Sequence, residues 1–342
     1  MNNETPRQRG FRMPAEWEPH EATWIAWPHN ASDWPGRFAP IPWVYAEIVR
    51  KLSRVEKVRI LVEGRAEEAR ARAVLRKAGA ILDAVEFIAC LTDRVWTRDF
   101  GPIFVTNRRR EVALTGWRFN AWAKYDDWKN DVLVPATLAK HLDLPLFQPE
   151  MVLEGGSIDV NGAGLLLTTE ECLLSEVQQR NPGMDRREIE RHFRDYLGIK
   201  RTIWLHNGIA GDDTHGHVDD LARFVSADTV VVASERDRSD ANYEPLRENY
   251  ALLRAAGLKV VKLPMPRPLV FAGQRLPASY ANFYIANGLV LVPTFNDPSD
   301  RVALGTLARL FADREVVGIN CTELIWGLGA LHCMTQQQPR GG

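Results

Sequence analysis

The chain has 342 residues, 45% of them hydrophobic and 25% charged, with 43 basic against 44 acidic residues. A net charge of -1 gives no basic footprint for nucleic acid or an anionic membrane, the stretch Met1 to Arg12 is too polar for a signal peptide, and no apolar run is long enough to span a bilayer. The four cysteines (Cys90, Cys172, Cys321, Cys333) form no CxxC pair, which argues against a disulfide framework or zinc knuckle and fits a reducing, cytoplasmic setting.

Thr23 to Trp27 is a short apolar strand, and Trp43 to Leu52 has helical spacing. Val58 to Val62 alternates and stops at Gly64, as a strand does. Glu67 to Lys77 is rich in Ala, Arg and Leu and ends at Gly79, which predicts a helix. Val85 to Ile88 is a further strand. Ile103 to Val105 and Val112 to Leu114 flank the turn Asn107 to Arg110 and predict a hairpin. Val132 to His141 is helical, and Met151 to Leu153 reads as a strand leading into Glu154-Gly155-Gly156. Asn161-Gly162 predicts a hairpin between Ile158–Val160 and Leu165–Thr168. A helix at Arg186 to Tyr196 and a strand at Arg201 to Leu205 follow. Asp220 to Val225 pairs with Thr229 to Ala233, then come a helix at Tyr243 to Ala256 and a strand at Lys259 to Leu263. Tyr280 to Ala286 pairs with Leu289 to Pro293 around Asn287-Gly288, before a helix at Arg301 to Phe311 and a strand at Val316 to Ile319.

The order hairpin, helix, strand thus returns about every 60 residues, the kind of period that marks a repeat architecture. No linker interrupts it. The pattern predicts one α/β domain over residues 1–342, built from about five ββαβ-type units around a central axis. A doubly wound sheet fits less well, because hairpins are frequent and a Gly-rich phosphate loop is missing.

Four segments can carry chemistry. Trp96 to Pro102 contains Asp99 beside Arg98, a pair that is often no more than a surface ion pair. Glu154 stands before two glycines, where a solvated turn is the plain alternative. Gly211 to Asp220 packs six ionisable side chains into ten positions. Gly327 to Pro339 holds Cys333 in a Gly-containing loop, although a lone cysteine is commonly a small core residue. Two readings of the third segment stand open. His215, His217 and Asp219 could ligate a metal. Alternatively His217 and Asp219 serve a nucleophilic Cys333 as acid/base and cation clamp. Paired carboxylates hold a planar guanidinium through charge-assisted hydrogen bonds and leave its central carbon open to a thiolate. That route requires neither metal nor cofactor.

Taken together, Met13 to His20, Trp24 to Pro28, Trp96-Thr97-Arg98-Asp99-Phe100-Gly101-Pro102, Phe119-Asn120-Ala121-Trp122, Glu154-Gly155-Gly156, Gly216-His217-Val218-Asp219 and Leu331-His332-Cys333-Met334-Thr335-Gln336-Gln337 resemble, in order, the motifs of the agmatine deiminase family. That family also holds bacterial peptidylarginine deiminases and lies within the guanidine-modifying superfamily. The resemblance implies a five-bladed pseudo-symmetric α/β propeller and hydrolysis of agmatine to N-carbamoylputrescine and ammonia through a covalent thiouronium. It implies Cys333 as nucleophile, His217 as acid/base, Asp99 and Asp219 as guanidinium clamps, and Glu154 as orienter of His217 that also touches substrate. Leu328 and Ala330 depart from the glycines and asparagine that family members often carry before the His-Cys pair. Proximity to the motifs nominates Trp96, Trp122 and Asp93 for the far end of the substrate. Other readings are the same chemistry on peptidyl or free arginine, amidine transfer, a metallohydrolase, or a non-enzymatic scaffold. A homodimer is a common assembly for enzymes of this size.

Overall fold

The computed structural model describes residues 4–342. It has a mixed α/β architecture in which one connection pattern recurs. The first unit runs β1 (His20–Ala26), α1 (Ile41–Leu52), β2 (Lys57–Val62), α2 (Arg65–Ala78) and β3 (Val85–Ala89), all three strands parallel. Next come a one-turn helix α3 (Thr97–Phe100), β4 (Ile103–Thr106), β5 (Val112–Thr115), α4 (Val134–Leu142) and β6 (Leu146–Phe147). The third unit comprises β7 (Asp159–Val160), β8 (Leu165–Thr169), the short α5 (Glu170–Leu174), α6 (Arg186–Leu197) and β9 (Arg201–Leu205). The fourth holds β10 (Ala222–Phe224), β11 (Thr229–Ser234), α7 (Tyr243–Ala255) and β12 (Lys259–Pro264). A two-stranded hairpin, β13 (Val270–Phe271) with β14 (Gln274–Arg275), then precedes β15 (Tyr284–Ala286), β16 (Leu289–Thr294), α8 (Ser299–Leu310) and β17 (Glu315–Asn320). The chain ends on β18 (Gln336–Pro339).

In each of the last four three-stranded sheets the first strand is antiparallel to the second, and the third returns parallel after a helix. The first sheet has the same plan only because β18 pairs antiparallel with β1, His20 facing Pro339 and Trp24 facing Gln336. Strand β18 thus fills the place that a hairpin strand fills in the other sheets. The crossover helices suit the parallel pairs, which need a long connection. α6 shows how locally determined they are. Asp185 caps it in a reciprocal box with Glu188, Ile189, Phe193 and Leu197 form its buried face, and Gly198 ends it at φ 70°.

Three buried clusters form the core. The largest includes Trp24, Ile60, Leu114, Tyr284, Val290 and Met334, so it joins residues from both ends of the chain. The expected hairpins and helices are present with shifted ends. Met151 to Leu153 is a correction: it makes only a bridge between Val152 and Arg118, and the third strand of that sheet is Leu146–Phe147 instead. Asp220 lies in a 3-10 turn ahead of β10, and Tyr280 lies ahead of β15. Among the described residues no helix is long and apolar enough to cross a membrane.

The five sheets position the site through one shared feature. A short turn leads into the first strand of each. These turns carry Asp99 before β4, Glu154 and Gly156 before β7, His217 and Asp219 before β10, Asn282 before β15, and Cys333 before β18.

Candidate active site

Those five turns bring buried polar groups to one place. Cys333 is 6% exposed and its Sγ accepts a hydrogen bond from Asn282 Nδ2 at 3.1 Å, with Asp219 Oδ2 at 3.8 Å. Asn282 Oδ1 also accepts from the His332 backbone N–H at 2.9 Å, which fixes the nucleophile turn. His217 is buried with Nε2 3.7 Å from Glu154 Oε2 and Nδ1 3.9 Å from Asp99 Oδ1. Asp99 accepts from the Trp122 indole N–H at 2.9 Å and from the Gly156 N–H at 3.0 Å. His332 bridges Asp219 (2.7 Å) and Glu16 (2.8 Å), locking one Asp219 oxygen.

Gly156 is the position where this convergence demands a glycine. A Cβ there would stand 2.6 Å from His217 Nδ1, 2.8 Å from Asp99 Oδ1 and 3.1 Å from Asp219 Oδ2, closer than real Cβ contacts come. Around the same space Glu154 Oε2, Asp219 Oδ1 and both His217 nitrogens have no hydrogen-bond partner in the protein. Buried polar atoms are nearly always paired, so such a group of them marks where a ligand's donors belong.

Electrostatics set the protonation states. Burial pushes the Glu154 carboxyl up, but the Arg180 guanidinium at 3.0 Å and His217 outweigh it and bring it to about 2. Arg180 is itself buried and spans Glu154, the Gln178 carbonyl and the Thr214 carbonyl. For Asp99 burial wins and lifts the carboxyl to about 6, with His217 opposing and Asp219 and Glu154 assisting. Burial would lower His217, yet the Asp99 charge and contacts with Cys172 and Glu154 raise it well above 6.5. The Cys333 thiol is pushed well above 9.0 by burial and by the charges of Asp219, Asp220 and Asp99. At neutral pH the resting pair is therefore a neutral thiol and an imidazolium.

A cavity of about 390 Å³ opens from Cys333 and Asp99 past Trp96, Trp122 and Tyr125. Asp33, Arg94, Asp213 and Gln274 also line it. Trp96 and Trp122, nominated from the sequence for the far end of the substrate, both line this cavity. Asp93 does not: its carboxylate accepts from the Asn130 backbone and side chain at 2.7 Å, caps that turn and is absent from the lining. Leu328 lies in the cavity wall at φ 67°, and Ala330 is buried below it. His215 is turned away toward Ser175 (3.1 Å) and Glu171 (3.7 Å). Among the described residues it brings no ligand atom to His217 and Asp219, which counts against the metal reading of that segment. The sequence reading missed Asn282, Arg180, His332's bridge and Asp213. A buried Glu154 demands a cation partner, and that demand was the available signal for Arg180.

A model of the Porphyromonas-type peptidyl-arginine deiminase family matches residues 12–339. The chain belongs to that family. An agmatine deiminase of Pseudomonas aeruginosa is 38% identical over 368 aligned residues, covering 98% of this chain and 97% of the relative. Among solved structures, an Enterococcus faecalis agmatine deiminase superposes with a TM-score of 0.92 at 32% identity over 99% of both chains. A cysteine-to-serine variant of the C. jejuni agmatine deiminase, solved with substrate bound, superposes with a TM-score of 0.90 at 31% identity over 97% of both chains. Within the family, the unpaired carboxylate oxygens beside Cys333 acquire a chemical meaning: they complement the N–H groups of a guanidinium.

Proposed function

We propose that the protein is an agmatine deiminase, hydrolysing agmatine to N-carbamoylputrescine and ammonia through a covalent intermediate on Cys333. The observation that carries this reading is the convergence of three buried carboxylates, Asp99, Glu154 and Asp219, on the space beside Cys333 and His217. An incoming guanidinium supplies the positive charge that these acids lack. It also offsets the charges that keep the Cys333 thiol neutral, so the thiol releases its proton to solvent as substrate binds and the thiolate forms in place while His217 keeps its own proton. The thiolate adds to the central carbon, His217 gives its proton to the departing amine, and the neutral imidazole then deprotonates the water that cleaves the thiouronium. Glu154 steadies His217 and holds one side of the substrate. The agmatine deiminases described above are similar to this chain over 97–99% of its length, which supports the assignment.

The charge of the cavity favours agmatine over arginine. Arg98 is buried outside the cavity lining, with Nη1 donating to Gln336 and Gln337 Oε1, each at 2.7 Å, and Nε to the His332 carbonyl, so it is not placed to meet an α-carboxylate. Arg94 lines the cavity, but its two terminal nitrogens bind Asp33 and Asp127. Asp213, held by Lys124 and by the Tyr125 hydroxyl at 2.6 Å, offers a carboxylate to the far ammonium. Ureido product is therefore measured with agmatine, free arginine and N-acetylagmatine side by side. Agmatine is expected to have the highest kcat/KM, and equal efficiency on arginine would overturn the substrate assignment while sparing the thiol chemistry.

The same reading extends to architecture. Five sheets of one plan, with the acids, histidine and cysteine on four of their leading turns and Asn282 on the fifth, are the blades of a five-bladed α/β propeller forming one domain over residues 1–342. Its four free cysteines suit a cytoplasmic enzyme.

A further inference from the structure

Behind His217 lies a second cysteine that the reaction does not use. Cys172 sits in α5 and is 1% exposed. Thr169 fixes it there. The Thr169 hydroxyl accepts from the Cys172 N–H at 3.0 Å and donates to the Gly216 carbonyl at 2.6 Å, tying α5 to the turn that carries His217. One ligand atom each from Cys172, His217 and Glu154 lies within 4.8 Å of the other two, and His217 Nε2 to Glu154 Oε2 is 3.7 Å. Glu154 Oε2 and both His217 nitrogens are buried and have no partner in the protein.

We propose that Cys172, His217 and Glu154 form an inhibitory site for a thiophilic divalent cation, with zinc as the best fit. Sulfur, imidazole nitrogen and carboxylate oxygen are the ligand types of zinc. Three protein ligands leave a fourth position open for water or an anion. Tetrahedral zinc, with bonds of about 2.0–2.3 Å, sets its ligands about 3.3–3.6 Å apart. From separations of at most 4.8 Å, the side chains therefore close by up to about 1.5 Å. Arg180 opposes a cation here, but it is held on Glu154 Oε1 and leaves Oε2 free, while Asp99 and Asp219 face the same space with negative charge. On binding, the Cys172 thiol and the His217 imidazolium each release a proton to solvent. No oxidation or group transfer is involved. The bound ion removes the proton carrier and one carboxylate of the guanidinium clamp together, so inhibition is competitive with agmatine. The site is distinct from one on the nucleophile, because Cys333 is not among its ligands.

The competitive readout rests on the function proposed above, so the test includes a spectroscopic arm that needs no turnover. Zinc chloride is titrated into the enzyme in thiol-free buffer and removed again with EDTA. Inhibition should be reversible, and Cys172→Ser and Cys172→Ala should each need at least about tenfold more zinc for half-inhibition, relative to their own zinc-free rates. Inhibition at the same zinc concentration as the parent would overturn the proposal and place the metal on Cys333. In Cys333→Ser, Co(II) should give a thiolate-to-metal charge-transfer band that agmatine abolishes. That arm stands even if the Cys172 variants fail to fold. A Cys333→Ser protein without the band would sink the metal site and leave the deiminase reading untouched, whereas absence of ureido product from the parent would count against the reaction alone.

Discussion

The chemistry depends on individual protonation states, and these are set by burial competing with neighbouring charges. Cys333→Ser should lose turnover yet still bind agmatine in calorimetry, because an alkoxide is far harder to form than a thiolate. A haloacetamidine should label Cys333 and spare Cys90, Cys172 and Cys321, read by mass spectrometry of peptides. The pH profile of kcat/KM follows from Asp99 and His217. Asp99 must be ionised to hold the cation, so activity should fall as pH drops through about 6. His217 must carry its proton, and its raised pKa places the alkaline loss well above 6.5. Trp122→Phe provides the sharper check. It deletes the indole donor that stabilises ionised Asp99 at 2.9 Å. Losing a hydrogen bond worth about 0.5–1.5 kcal/mol should move the acid limb upward by about 0.5–1 pH unit. An acid limb that stays in place would mean that Asp99 does not set it.

At the scale of the elements, the turns before the five first strands matter more than the strands. Gly156→Ala adds a methyl 2.6 Å from His217 Nδ1, and the neighbours that would have to move are site groups. A misplacement of about 1 Å at a reacting centre can cost about 100-fold in rate, so kcat/KM should fall by that order while the fold survives. Arg180→Gln should do more harm to stability. Breaking a fully buried ion pair from one side costs about 3–5 kcal/mol, and Glu154 would also lose the charge that holds it ionised. A melt of this variant indistinguishable from the parent would show that the pair is dispensable.

These turns also mark what was legible in the sequence. Asp99, Glu154, His217, Asp219 and Cys333 lie in motifs whose glycines and clustered charges are visible along the chain. Asn282 lies in an apolar run, Ala281-Asn282-Phe283-Tyr284, and only its equivalent place before β15 reveals it. Hairpins with Asn-Gly turns and well-capped helices were readable because their signals are local. Strand β18 was not. Gln336-Gln337-Gln338-Pro339 has no apolar alternation, and its three buried glutamines make sense only beside Arg98, Arg59 and Trp24, more than 230 positions away for Arg98. Asp93 shows the converse: it is near a motif in sequence, yet its carboxylate is held by Asn130 and lies outside the cavity lining.

For the whole molecule, β18 is the element that links the two ends of the chain. Gln336 and Gln337 accept from Arg98 at 2.7 Å, Gln338 accepts from Arg59 at 2.5 Å, and all three glutamines are buried. Hydrogen bonds to charged groups contribute about 1.5–3 kcal/mol each, so these three amount to about 4–9 kcal/mol. Total stability of a folded protein is about 5–15 kcal/mol. Deleting residues 336–342 removes none of the proposed reacting groups, yet it strips β1 of its antiparallel neighbour and takes from the buried Arg98 both of its glutamine acceptors, leaving the His332 carbonyl and Glu16. The truncated chain should therefore fail to show the cooperative melt and the near-ultraviolet tryptophan signal of the full chain, and it should lose activity with them. Gln337→Ala, which removes one such bond, should keep the fold and lower the midpoint by a few degrees. If the five sheets form one closed domain, the full chain melts in a single transition and the deletion destabilises every part of it. A truncated protein that retained a cooperative melt would mean that the sheets hold together without the C-terminal strand, and that closure by β18 serves only to carry Cys333 into place.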